Sequence, residues 1–412
     1  MNQDTYTTSC ESNDQISTSA AWLAVFSLTI GVFGLLTAEY LPASLLTPMA
    51  LDLGVSEALA GQAVTVTAVI ALFSGLLVPR LTRNIDRRKV LLSFTVLMIA
   101  SNLFVALSSS LIMLLIMRVL LGVALGGFWS MTAAVTMRLV PEHRVPRALS
   151  IIFSGIAVGT VVSVPMGSYL GGLFGWRSAF FTAALLGVLT FAFQFLTLPR
   201  MVAHNTVSHT SVLQLLKRSG VLVGMIGCIL AHTGQYALFT YIRPALESVM
   251  IINVDQLSFL LLGFGVTNFV GTLFTGWLIE RSLRLTLILM PALVGIAALA
   301  MILLPINMSG LMLLIGLWGF AFGGIPVAWS NWVTQIIPDE AESAGGMVVA
   351  AVQSSIAAGA ALGGIIFGIN GINGVFIIAG LLMLIAAVVI ALLVKVKRTP
   401  HSEAIHAPIH TT

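Results

Sequence analysis

Runs of about twenty apolar residues recur along this chain between short polar breaks, and each is long enough to cross a hydrocarbon layer of about 30 Å as a helix. They fall at 22–41, 59–78, 90–107, 111–137, 149–170 and 179–198, then at 221–240, 257–279, 285–304, 311–332, 347–367 and 375–394. Only 8% of the 412 residues are charged and 58% are apolar. A soluble domain carries about 25% charged residues, because its surface must face water. A soluble core is therefore excluded, and the expected fold class is an all-α membrane protein with twelve transmembrane helices in two six-helix pseudo-repeats. The expected organisation is a tail at 1–21, one six-helix half at 22–198, a linker at 199–220, a second half at 221–394 and a tail at 395–412. The first twenty-one residues hold Asp4, Glu11 and Asp14 but no Lys or Arg, so they do not read as a signal peptide. Both tails are expected to be disordered.

The cations set an orientation. With both ends in the cytoplasm, the inside loops hold Arg80, Arg83, Arg87, Arg88 and Lys89; Arg138, Arg144 and Arg147; Arg200, Lys217 and Arg218; Arg281 and Arg284; and Lys395, Lys397 and Arg398. That is 16 of the 19 Lys and Arg, against Arg177 and Arg243 outside and Arg118 within a span. Such an inside bias sets topology. The net charge of +4 is spread over five short loops, which does not suit nucleic acid. Cys10 falls in the tail and Cys228 in the seventh span, so no disulfide is expected.

Internal repetition is visible. Glu39-Tyr40-Leu41-Pro42 closes the first span and Tyr241-Ile242-Arg243-Pro244 the seventh, their tyrosines 201 positions apart. The loop beginning near Pro79 and the run from Gly276 are offset by 197. Duplicated halves are common in transporters.

The same stretches carry a family resemblance that covers essentially the whole chain. Gly276…Glu280-Arg281 resembles the G-x-x-x-[DE]-R loop signature of the major facilitator superfamily. Arg118-Val119-Leu120-Leu121-Gly122 is similar to its fourth-helix element, and Gly155…Gly159…Pro165-Met166-Gly167 to its antiporter motif. Glu39-Tyr40-Leu41-Pro42, Leu45-Leu46-Thr47-Pro48-Met49, Gly126-Gly127-Phe128-Trp129 and Tyr241-Ile242-Arg243-Pro244 narrow the resemblance to drug:proton antiporters. Within that group the chain looks most like bacterial purine ribonucleoside efflux pumps, and more distantly like sugar efflux transporters. The resemblance implies proton-coupled export of nucleosides such as inosine or guanosine from a bacterial inner membrane, by a monomer needing no cofactor or metal. Sugar or multidrug export on the same fold is the alternative. In the first-half loop, Pro79, Arg83 and Asn84 replace the pattern's Gly, Asp and Arg, leaving Asp86, Arg87, Arg88 and Lys89 as its charged cluster. Val164 stands where a glycine often precedes the antiporter proline.

Glu39 is the one carboxylate well inside a predicted span and Arg118 the one cation. Intramembrane charge is costly and normally faces a cavity or a partner. A desolvated carboxyl can bind and release a proton near neutral pH. Glu39 is thus the expected proton-coupling residue, against the plainer reading that it reaches headgroup water from about three residues inside its helix end. Arg118 either contacts cargo, pairs with Glu39, or satisfies bare carbonyls. His232 and Tyr236 share a helix face with Gln235 beside them, a set that suits a purine's edges and flat face, or else interhelical hydrogen bonds. Tyr40, Trp129, Tyr241 and Gln353 complete the expected cavity. Trp329 could sit in a cavity or at the interface, Asn331 is a further cavity candidate, and Trp332 is assigned to the interfacial aromatic belt. Gly122, Gly126, Gly127, Gly155 and Gly159 allow close helix contact. Pro165 and Pro326 kink their helices and free carbonyls that protein or a cavity must satisfy.

No lysine follows glycine in a Walker-type loop, so ATP hydrolysis is not expected. Nor do acids and histidines show metalloenzyme spacing such as H-E-x-x-H, which argues against a membrane enzyme. A hundredfold gradient of neutral solute costs about 2.7 kcal/mol. A proton crossing about 100 mV supplies roughly 2.3 kcal/mol, and each pH unit about 1.4. One titrating site therefore suffices.

Overall fold

The computed structural model describes residues 18–82, 84–141, 144–201, 212–249, 252–305, 307–337, 341–394 and 396. The predicted tails lie largely outside them, as do residues 202–211 of the predicted linker. The helices are α1 (Thr18–Leu53), α2 (Glu57–Ala60), α3 (Gln62–Leu81), α4 (Arg87–Ala106), α5 (Leu111–Leu139), α6 (Val145–Phe174) and α7 (Trp176–Thr197). They continue with α8 (Val212–Leu216), α9 (Val221–Thr240), α10 (Ile242–Val249), α11 (Val254–Leu303), α12 (Met308–Ile336) and α13 (Ala341–Leu393). Among the described residues, ten helical stretches are long and apolar enough to cross a membrane, two of them 50 residues long.

Those two are hairpins. α11 contains one non-helical residue, Ser282 (φ −164°, ψ 100°), and α13 contains Gly371 at φ 66°, a left-handed turn that glycine adopts without a Cβ clash. Thr275 and Met290, on opposite sides of Ser282, both lie against Gly324 of α12. Ser355 bonds the Ile229 carbonyl while Ile390 lies against Gly227, so both arms of α13 reach the same stretch of α9. Counting each hairpin as two gives twelve such stretches among the described residues. The sequence reading expected loops at both breaks; a single residue suffices at each.

Close packing exposes the duplication. A Cβ on Gly155 would meet the Thr29 carbonyl at 2.6 Å, and one on Gly359 would meet the Thr233 carbonyl at 2.6 Å. Both partners are shifted by 204. Gly122 and Gly126 lie against the Thr67 and Ala71 carbonyls, while Gly319 and Gly323 lie against those of Phe264 and Asn268, all shifted by 197. This corrects the pairing of Tyr40 with Tyr241: at an offset of 204, Tyr241 corresponds to Thr37 and Arg243 to Glu39.

The first helix also departs from expectation. Pro42 and Pro48 lie inside α1, which runs on to Leu53. Proline has no N–H, so each leaves the carbonyl four residues back without its helical donor. Here the freed carbonyls are answered. Arg118 Nη1 donates to the Ala38 carbonyl at 2.9 Å and Arg243 Nη1 to the Ser44 carbonyl at 2.8 Å. Gln235 Nε2 likewise donates to the Phe322 carbonyl at 3.1 Å, which Pro326 leaves open.

This pairing has a testable consequence. Arg118→Leu should lower the stability of the detergent-solubilised protein by about 1–3 kcal/mol, because it strands the Ala38 carbonyl. Adding Pro42→Ala, which restores a backbone donor, should recover part of the loss in a double-mutant cycle read by denaturation midpoint.

Candidate functional site

Glu39 and Tyr40 occupy the middle of α1 because that helix continues fourteen residues, about 21 Å, beyond Glu39. The expectation of a glutamate near its helix end is therefore overturned, and with it the route to headgroup water. Glu39 is 6% exposed. It lines a narrow crevice with Tyr40 and Ala43 of α1, Val64 of α3, Tyr236, Phe239 and Thr240 of α9 and Ile356 of α13. Two lining helices come from each half. The crevice has room for about one water molecule.

Aromatic rings build its C-terminal wall. Tyr40 meets Phe239 edge-on at 5.1 Å, and Phe239 packs on Phe264 at 5.9 Å and Phe322 at 5.1 Å. Tyr236 meets Phe322 at 5.9 Å, and the Tyr40 and Tyr236 hydroxyls interact, with Thr160 beside them. Rings of this kind supply apolar faces, and the tyrosines add polar edges.

Several candidates carry a buried polar atom without a hydrogen-bond partner: Glu39 Oε1, Arg118 Nη2, His232 Nε2, Gln235 Oε1 and Gln353 Oε1. Such atoms are rare in packed interiors and call for an explanation. Arg118 lies within electrostatic reach of Glu39, but its Nε donates to Thr67 Oγ1 at 3.0 Å and its Nη1 to the Ala38 carbonyl. It fastens α1 to α3 and α5 and is not among the crevice-lining residues. His232 Nδ1 lies 2.9 Å from the Cys228 carbonyl, one turn back on the Tyr236 face. Gln353 lies three residues before Ile356, on the same face of α13.

Other expectations shift. Tyr241 does not line the crevice: it is buried, donates to the Ala360 carbonyl at 3.2 Å, stacks on Phe367 at 5.3 Å and presses its hydroxyl against Gly61 of the other half. Trp129 is half-buried against Phe153 at 5.9 Å, away from the crevice. Trp332 leaves the interfacial belt: it is 1% exposed, packed on Gly224 and 5.4 Å from the equally buried Trp329. Asn331 donates to the Val327 carbonyl within its own helix. Cys228 is a free, buried thiol.

The motif residues hold the scaffold. Gly155, Gly159 and Gly167 lie against α1 at Thr29, Leu36 and Ser44, and Thr37 bonds Ser163 at 2.7 Å, so the antiporter-type motif around Pro165 seats the helix that carries Glu39. In the first-half loop, Asp86 caps α4 and accepts from the Met201 amide, Arg87 donates to the Thr82 carbonyl and hydroxyl, and Arg88 donates to the Phe195 carbonyl. These bonds tie the first-half loop to Met201 and to the end of α7 despite the altered motif. In the second-half loop, Arg281 stacks over Trp277, Glu280 is exposed and Gly276 faces open space.

Sequence reasoning missed a junction at the cation-poor face. Arg243 Nε bonds Glu247 Oε1 at 2.8 Å, Thr47 Oγ1 donates to Glu247 Oε2 at 2.7 Å, and Arg243 Nη1 reaches the Ser44 carbonyl. Ser258 and Ser168 join the halves at 3.5 Å, and Gly265 lies against Val161. The signal was present in Pro48, whose freed carbonyl requires a donor. The crevice is thus closed toward this face.

The family model described as Major Facilitator Superfamily matches residues 28–250 and 225–409. Purine ribonucleoside efflux pump NepI of Salmonella enteritidis PT4 (strain P125109) is 43% identical over 381 residues, which is 92% of this chain and 96% of that protein. The pump of the same name from Salmonella paratyphi A (strain ATCC 9150 / SARB42) is 42% identical over the same shares. Among solved structures, the crystal structure of D-xylose-proton symporter aligns with a TM-score of 0.74 at 18% identity, covering 92% of this chain and 98% of that one. At that identity the likeness concerns the fold.

Removing the Arg243 side chain should loosen the closed face. In an Ala43→Cys background, Arg243→Leu is expected to raise labelling by a membrane-impermeant maleimide applied from the cation-poor side by about tenfold. Pro48→Ala should raise it too, because the Ser44 carbonyl regains a backbone donor.

Proposed function

The chain belongs to the major facilitator superfamily, and on that footing we propose that it is a proton-coupled exporter of purine ribonucleosides such as inosine and guanosine. It works as a monomer in a bacterial inner membrane, with both termini cytoplasmic. The observation that carries the coupling is Glu39, a buried carboxylate in a crevice lined by both halves, with Oε1 unpartnered. The cation count supports the orientation, since the loops of the closed face hold only Arg177 and Arg243. The closed face is then the outer one. The named activity of the relatives supports the cargo.

A mechanism follows from charge and access. Ionised Glu39 sits beside the fixed positive charge of Arg118 and offers an acceptor to cargo entering from the cytoplasm. When the halves rock and the outer junction separates, a proton from outside takes that acceptor and cargo leaves. The neutral carboxyl then crosses back and releases its proton inside. Proton and cargo use one group in turn, and that alternation makes the exchange obligatory. The aromatic wall offers a flat apolar surface to a purine, and Tyr40 and Tyr236 offer hydroxyls at its edge.

The test uses proteoliposomes loaded with labelled inosine under an imposed pH gradient. Wild-type protein is expected to move inosine with proton counterflow. Glu39→Gln should lose gradient-driven movement and proton flux while still exchanging inosine for inosine. A Glu39→Gln protein that moves protons with wild-type stoichiometry sinks the coupling assignment. Transport of arabinose-like sugars in place of nucleosides replaces the cargo.

A further inference from the structure

We infer that the C-terminal half reads its cargo through hydrogen-bond donors, using His232, Gln235 and Gln353 as acceptors in a column that continues the crevice toward the cation-rich face. A carbonyl can only accept, so the 2.9 Å contact with the Cys228 carbonyl puts the proton of the neutral imidazole on Nδ1. Nε2 is left with a bare lone pair, buried and unpartnered. Gln235 is fixed by the same logic. Its Nε2 donates to the Phe322 carbonyl, so the orphaned atom is the carbonyl oxygen Oε1. Gln353 adds a third orphaned oxygen.

Their placement ties them to the crevice. His232 lies one turn from Tyr236 on the same face of α9, and Gln353 three residues from Ile356 on the same face of α13; Tyr236 and Ile356 both line the crevice. The two helices run side by side, with Ser355 bonded to the Ile229 carbonyl and Gly359 against Thr233. The carbonyl that holds Gln235 belongs to Phe322, whose ring packs on Tyr236.

The duplication supplies an independent argument. At the offset of 204, the N-terminal counterparts of His232, Gln235 and Gln353 are Leu28, Gly31 and Leu149, none of which has a polar side chain. The repeated scaffold therefore does not need polar side chains here. Burying three unpaired acceptors costs stability, and a ligand that pairs them recovers it. The complementary ligand is rich in O–H and N–H donors, such as a ribose ring or the N1–H of a 6-oxopurine. A donor-free apolar drug would leave all three unpaired.

The inference rests on the exporter reading for its choice of probe. Inosine and an inosine methylated at N1 and at all three ribose oxygens are compared as competitors for binding to the wild-type protein, to His232→Phe, Gln353→Leu and His232→Gln. Arabinose and its fully O-methylated methyl glycoside form a second pair. In the wild type, blocking the donors should weaken competition at least about tenfold. His232→Phe and Gln353→Leu should each weaken inosine severalfold while leaving the methylated compound unchanged. His232→Gln, which keeps an acceptor near the Nε2 position, should restore discrimination. Equal competition by inosine and its methylated form overturns the inference, as does undiminished discrimination in His232→Phe. Should only arabinose compete, the nucleoside reading falls while the donor test proceeds on the sugar pair. A wild-type protein that binds neither overturns both.

Discussion

Helix α1 is held through carbonyls that its own prolines set free. Pro42 and Pro48 remove two backbone donors, and Arg118 and Arg243 take up the Ala38 and Ser44 carbonyls in their place. In a hydrocarbon environment an unanswered carbonyl costs several kcal/mol, so these pairings are constraints on the fold. One arginine belongs to the N-terminal half and the other to the C-terminal half. Glu39 lies between the two anchoring points. Gln235 repeats the device on α12, below Pro326. The two buried arginines are thus tied to specific backbone atoms, and the crevice-lining Glu39 lies between the carbonyls they hold.

The packing registers of 204 and 197 show how one scaffold came to carry different chemistry in its halves. Glycine against carbonyl is retained at Gly155 and Gly359, and at Gly122 and Gly319. The polar groups are not retained. Arg118 corresponds to Ile315, Thr67 to Phe264 and Glu39 to Arg243, while His232 and Gln235 face Leu28 and Gly31 in the register. The crevice carboxylate Glu39 and its neighbour Arg118 sit in the first half, and the aromatic wall with the orphaned acceptors of His232, Gln235 and Gln353 sits in the second. The proposed division of labour, coupling on one side and recognition on the other, follows the positions where the halves diverge.

Much of the fold was legible because lipid forces the sequence to declare it. Spans of apolar residues leave few alternatives, and the all-helical membrane bundle followed from them. Glu39 and Arg118 were legible for the same reason, since an ion in an apolar run has to be accommodated. What stayed hidden depends on relations between helices. Pro42 read as an end to α1, because the donors that let the helix continue come from residues 118 and 243. Trp332 read as interfacial because an indole at a span end usually is, yet the space beside Gly224 accepts it. Tyr241 looked like the twin of Tyr40 by motif, and only the register of Gly155 on Thr29 and Gly359 on Thr233 shows the three-residue shift.

The magnitudes suit a mobile junction. Opposite the crevice from the cation-rich loops, the halves are joined by the Arg243–Ser44 and Thr47–Glu247 bonds and by a long contact between Ser168 and Ser258. A hydrogen bond to a charged group contributes about 1.5–3 kcal/mol net, so breaking this set costs a few kcal/mol. A proton moving through about 100 mV brings roughly 2.3 kcal/mol, and each pH unit about 1.4 more. Moving a two-state equilibrium from 1:99 to 99:1 needs about 5.5 kcal/mol. On the proposed coupling, the hydrogen-bonded part of this closure lies within reach of one titrating carboxylate assisted by cargo, whereas a junction sealed by several buried ion pairs would not. The buried carboxylate of Glu39 and the lightly hydrogen-bonded cation-poor face are two aspects of the same energetic scale.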